Sequence, residues 1–203
     1  DVTSRREKSA EHQRAPHVIS RTGTPKRFRY AEVVYFCALV KLPLLLEGPA
    51  AVGKTTTIAY IASLMSGSPI SGDYSEHSDG NPKLFRVINN QSTTILDYLG
   101  SYRPTATGFA FEKGPLVLAM EEGSWFLADE FNLADPEVLS MLAPLLEGEG
   151  RVIDHTSGLT YIAEPGFRFF AAQNPSTYAG RNELPAMLRT RFINLNVEDY
   201  ETN

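Results

Sequence analysis

Two clusters in the sequence carry residue types suited to phosphate chemistry. The first, Gly48, Pro49, Ala50, Ala51, Val52, Gly53, Lys54 and Thr55, spells G-x-x-x-x-G-K-T. Small residues let successive backbone N–H groups turn inward on phosphate oxygens, and a helix start adds the positive end of its dipole. Lys54 then reaches the β- and γ-phosphates of a nucleoside triphosphate. Thr55 offers a hydroxyl to magnesium, and Thr56 can donate to the α-phosphate. In the second cluster, the apolar run of WFLADE ends in Asp129 and Glu130. Asp129 would hold magnesium directly or through water. Glu130 would orient or deprotonate an attacking water, a role that hydrolases need and small-molecule kinases avoid. Further on, Gln173, Asn174 and Pro175 close another apolar run. Asn174 can hydrogen-bond the attacking water and the γ-phosphate, or can simply turn the chain as an Asn-Pro pair.

These clusters become a site only if the chain positions them together. Apolar runs at PLLLEGP, LFRVIN, WFLA, FRFFAA and FINLNV predict five buried strands. Helical patterns are predicted over Tyr30–Lys41, Lys54–Met65, Thr93–Leu99, Pro115–Glu122, Pro136–Leu146 with Asp135 as its cap, and Glu183–Thr190. Strands alternating with helices imply an α/β fold, a mostly parallel five-stranded sheet covered on both faces. In such a sheet the phosphate loop and Asp129 emerge at the same carboxyl edge. The Gly- and Thr-rich stretch GSYRPTATGFAFEKG interrupts the helical pattern, and RVIDHTSGLTYIA reads as a β-hairpin turning at His155 to Gly158. Residues 67–82 are rich in turn formers and predict an exposed loop.

Taken in order, the phosphate loop, FLADE, AAQNP and RTRF resemble the AAA+ ATPases. RVINNQSTTILDYLGSY, GPLVLAMEEGSWFLADEFNLADPEVLSMLAPLLEGEG and AAQNPSTYAGRNELPAMLRTRF are each similar to repeats of the dynein-related and midasin branch. The resemblance covers roughly residues 40–197. It implies a three-layer P-loop NTPase fold, ATP and Mg2+ as ligands, and hydrolysis within a ring of neighbouring AAA+ modules. Under it Gly100–Gly114 becomes an insertion within the second helix, and Arg151–Ala163 the hairpin before the sensor strand. In such rings both elements line the pore or face the substrate. The resemblance also implies an arginine finger given to a neighbour's nucleotide, here Arg191, with Arg189 and Arg181 as rivals. The dynein pattern would put it at Ile193, which carries no charge. A helical lid is expected after the fifth strand, and the sequence stops at Asn203 without one. Two alternatives stay open: a non-hydrolysing, nucleotide-stabilised module of a larger ring, and a ring that uses GTP.

Composition bounds the rest. A chain of 203 residues with 42% hydrophobic and 21% charged residues can build one real core. It reads as a flexible basic arm over residues 1–17 and one nucleotide-binding domain over 18–203. Residues 1–30 carry eight lysines or arginines against Asp1, Glu7 and Glu11, in a chain of net charge −5. Charge alone makes a weak case for nucleic acid. No run approaches the roughly 18 apolar residues of a membrane span. Cys37, the single cysteine, cannot form an internal disulfide, so an intracellular location, cytoplasmic or nuclear, is expected. The four histidines lack metal-ligand spacing, and Cys37 and Trp125 read as core residues. The remodelled protein substrate is not written in the sequence.

Overall fold

The computed structural model describes residues 25–66, 84–155, 157–177 and 183–198. The expected basic arm, the start of the fold near residue 18, the loop at 67–82 and Arg181 lie outside the described residues. Elements run in the order α1 (Pro25–Val40), β1 (Leu44–Glu47), α2 (Lys54–Ser66), β2 (Leu84–Ile88), α3 (Ile95–Leu99), β3 (Gly100–Thr105), β4 (Gly108–Lys113), α4 (Pro115–Glu122), β5 (Trp125–Asp129), a 3-10 turn (Phe131–Leu133), α5 (Pro136–Pro144), a π turn (Leu145–Glu149), β6 (Arg151–Ile153), β7 (Thr160–Ile162), β8 (Arg168–Gln173), α6 (Ala186–Arg189) and β9 (Ile193–Asn196).

Five strands pair in the order β2-β5-β8-β1-β9, and every pairing is parallel, where the sequence suggested only mostly parallel. The strand period of two splits each apolar run between two cores. Leu45, Phe126, Ala128, Phe169 and Ala171 join the core covered by α3, α4 and α5. Leu44, Leu46, Trp125, Leu127, Phe170 and Ala172 join the core covered by α1 and α2. Trp125 stacks on Phe170 at 4.9 Å between ring centres. It is packing, as its place in an apolar run suggested. Cys37 is buried in the second core, and burial pushes its thiol pKa up, which keeps it protonated.

The predicted elements are present, with four helices bounded differently for local reasons. Helix α1 begins at Pro25, a residue well suited to a first helical position, rather than at Tyr30. Helix α3 begins at Ile95 rather than Thr93, because Thr94 caps it and the Asp97 carboxylate accepts from Thr94 N at 2.7 Å. Helix α5, capped by Asp135 as expected, ends at Pro144 and passes into the π turn instead of running to Leu146. Pro144 has no N–H for the helical ladder, and Gly148 adopts φ 87°. The last predicted helix, Glu183–Thr190, shrinks to Ala186–Arg189, since Pro185 disfavours helical backbone at Leu184.

The stretch that interrupts the helical pattern is an antiparallel hairpin, β3 with β4, standing between α3 and α4. Gly114 N donates to Leu99 O at 2.9 Å and closes its base. The second expected hairpin is β6 with β7.

Candidate functional site

The three central strands β5, β8 and β1 end side by side, so their following residues meet at one carboxyl edge. The phosphate loop spans the step from β1 to the start of α2. Its first glycine is required by space: a Cβ on Gly48 would stand 2.1 Å from Val197 O. Gly53 lies at φ 86°, and Ala51 takes the left-handed region at φ 62° without being glycine. The Val52 side chain points into the core between α2 and the sheet and anchors the loop from below.

Lys54 is buried at the head of α2. Its ammonium donates to Gly48 O at 2.7 Å, to Pro49 O at 2.6 Å and to Asn174 Oδ1 at 2.9 Å. From the other side of its amide, Asn174 Nδ2 donates to Glu130 Oε1 at 2.9 Å and Oε2 at 3.2 Å. Asn174 therefore bridges the loop lysine and the acid at the end of the neighbouring strand. It is itself held by Asn132, whose Nδ2 donates to Asn174 O at 3.0 Å. The bridge makes Asn174 more than a turn former.

Asp129 faces the loop from β5. Its Oδ2 accepts from Thr55 Oγ1 at 2.9 Å and from Arg86 Nη2, and its Oδ1 accepts from Glu130 N at 2.9 Å. Its carbonyl accepts twice from Asn89, from N at 2.9 Å and from Nδ2 at 2.7 Å. The next residue, Glu130, sits at φ 50° and ψ 42°, which turns its side chain off the strand line toward Asn174. Such a conformation costs a non-glycine residue on the order of 1–3 kcal/mol and is common where function needs it.

Ala50, Ala51, Gly53, Lys54, Thr55, Thr56, Asp129, Glu130 and Asn174 together line a cleft of about 260 Å³. It can take an anionic ligand against Lys54 and the start of α2. Thr55 Oγ1 and Asp129 Oδ2 are hard oxygen donors within one hydrogen bond of each other, the donor chemistry that magnesium prefers. The residues present fit both groups. Arg191 does not line the cleft: its Nη2 pairs with Glu147 Oε1 at 3.1 Å on the surface. Arg189 pairs with Glu47 at 3.4 Å.

The sequence reading missed Arg86, Asn89, Tyr98 and Asn132. Tyr98 is fully buried and donates to Asn89 Oδ1 at 2.8 Å, so it supports the side chain that fixes the Asp129 carbonyl. One signal was available for Arg86: a lone cation in the apolar strand LFRVI, next in the sheet to the strand carrying the acids.

A parallel sheet with helices on both faces, a glycine-flanked lysine after its first strand and an acid pair at the tip of a nearby strand define the P-loop nucleoside triphosphatase class. Within that class, the family model for the AAA domain of the dynein-related subfamily matches residues 43–192. The chain belongs to that subfamily of AAA+ ATPases. It is 35% identical over 176 residues to midasin of Giardia intestinalis, covering 85% of this chain and 3% of midasin. Midasin of Dictyostelium discoideum is 34% identical over 161 residues, 78% of this chain and 2% of midasin. Protein NorQ of Paracoccus denitrificans is 28% identical over 152 residues, 75% of this chain and 51% of NorQ. The chain thus spans a small fraction of the midasins and about half of NorQ. Among solved structures, a candidate ATPase from Cytophaga hutchinsonii shares the fold with a TM-score of 0.63 at 21% identity, over 87% of this chain and 47% of that one. Among the described residues no helix is long and apolar enough to cross a membrane.

Proposed function

We propose that the chain binds ATP with Mg2+ in this cleft and hydrolyses it as one module of a ring-shaped remodelling ATPase. The observation that carries the reading is the unbroken run Lys54–Asn174–Glu130 beside Thr55–Asp129, five side chains from three sequence regions converging on one cleft. The loop from Gly48 to Gly53 would cradle the phosphates through its backbone amides, with Lys54 on the β- and γ-phosphates and Thr56 on the α-phosphate. Thr55 and Asp129 would hold magnesium, which when bound would offset the negative charge of the phosphates. Glu130 accepts the proton of the attacking water, and Asn174 holds both that carboxylate and the lysine in register. Arg191, exposed away from its own cleft, suits delivery to the nucleotide of a neighbouring module, where a cation offsets charge that develops in transfer.

Phosphate release by the assembled full-length protein tests this. Glu130→Gln keeps the Asn174 hydrogen bond but removes the base, and should lower turnover by about 10²-fold or more while ATP binding persists. Unchanged turnover would remove Glu130 from the mechanism.

A further inference from the structure

Asp129 Oδ2, the oxygen placed to meet a metal, already accepts from two donors, and the second is a permanent cation, Arg86. Arg86 stands on β2 opposite Leu127, two residues short of the Ile88–Asp129 register pair, so its long side chain reaches along the sheet edge to the carboxylate. The Arg86 and Asp129 side chains are 24% and 10% exposed, so water screens the pair weakly. Among the described residues, Lys54 in the cleft and Arg86 at its edge bring two cations against the carboxylates of Asp129 and Glu130. A divalent cation arriving at Thr55 and Asp129 meets a carboxylate that already carries a guanidinium of like sign on Oδ2.

We infer that Arg86 is a built-in counter-cation of Asp129 that sets how strongly nucleotide binding depends on the divalent cation. This rests on the cleft's being a metal–nucleotide site, as proposed above. Two opposed effects follow from Arg86. It orders the Asp129 carboxylate, which helps a metal, and it repels the metal by charge. Ordering one short side chain is a small effect, whereas like charges within a few ångströms in a poorly screened cleft interact strongly. Repulsion therefore dominates. Without metal the sign reverses, because the Arg86 charge then draws the polyphosphate into a cleft that also contains two acids.

The test is linkage between metal and nucleotide in the full chain, read with a fluorescent N-methylanthraniloyl-ATP whose dissociation constant is measured in excess Mg2+ and in EDTA. The ratio of the EDTA constant to the Mg2+ constant should rise about tenfold in Arg86→Gln, through weaker binding in EDTA and tighter binding in Mg2+, and stay near the wild-type value in Arg86→Lys, which keeps the charge. A merely structural arginine would weaken both affinities together and leave the ratio unchanged, and that result overturns the inference. Absence of saturable binding by the wild type in either condition would instead sink the nucleotide-site reading on which the inference stands. A second measurement needs no neutral variant. In the wild type with ATP bound, the Arg86 side-chain N–H resonance, assigned by its loss in Arg86→Lys, should move when Mg2+ is added. A resonance that stays in place overturns the inference equally.

Discussion

Tyr98→Phe isolates the buried contact that supports Asp129 from behind. The Tyr98 ring is fully buried between the sheet and its helices, with Phe126 at 5.6 Å, and the substitution preserves that packing. What disappears is one O–H donor to Asn89 Oδ1, at a residue only 2% exposed. A buried acceptor left without its donor costs about 1–3 kcal/mol, taken here as about 2 kcal/mol. For a domain of this size that lowers Tm by about 4–8 °C. The effect has a pH signature. Burial, with the nearby Asp97 charge adding, holds the Tyr98 phenol pKa above its ordinary value, so the folded chain keeps a proton that the unfolded chain releases near pH 10. A raised folded pKa gives stability that is complete below about pH 10 and is lost as pH climbs above it, at about 1.4 kcal/mol per unit. The wild-type advantage of about 2 kcal/mol should therefore vanish roughly 1.5 units higher, near pH 11.5. Urea unfolding of both chains across this range is the assay, since every other titrating group is common to them. Equal midpoints at pH 8, or a gap that persists undiminished at pH 11.5, would refute the reasoning.

Gly48→Ala forces a Cβ to within 2.1 Å of Val197 O, where the chain after β9 crosses the phosphate loop. A loss of about 1–3 kcal/mol in urea unfolding and weaker ATP binding are expected. Arg191→Ala should leave unfolding free energy within about 0.5 kcal/mol, because the Glu147 pair is exposed. It should nevertheless cut phosphate release by the assembled ring about 10³-fold, with ATP binding retained. Equal loss of stability and turnover would mark Arg191 as structural.

The layout of the fold was legible because its signals are local. Apolar runs of strand length alternate with helical stretches, and Gly48, Gly53 and Lys54 sit between one strand and one helix in sequence. Asp129 and Glu130 were legible for the same reason, as acids ending an apolar run. The parts that escaped depend on register between strands, which no local pattern encodes. Arg86 meets Asp129 from a strand 43 residues upstream, and Lys54 meets Asn174 across 120 residues. The left-handed backbone at Glu130, which aims its carboxylate at Asn174, has no sequence marker, since glutamate rarely adopts it. Helix ends moved where a proline acted on its neighbour, at Leu184 before Pro185 and after Pro144.

The central claim is that Lys54 and the Thr55–Asp129 pair serve a single metal–nucleotide site. Equilibrium titration of Mg-ATP against the wild type and Lys54→Ala tests it most directly, with unfolding curves to show that both are folded. Saturable binding by the wild type and at least about 100-fold weaker binding by Lys54→Ala are predicted, from the loss of a charge-assisted phosphate contact. Equal affinity in two folded chains would contradict the account.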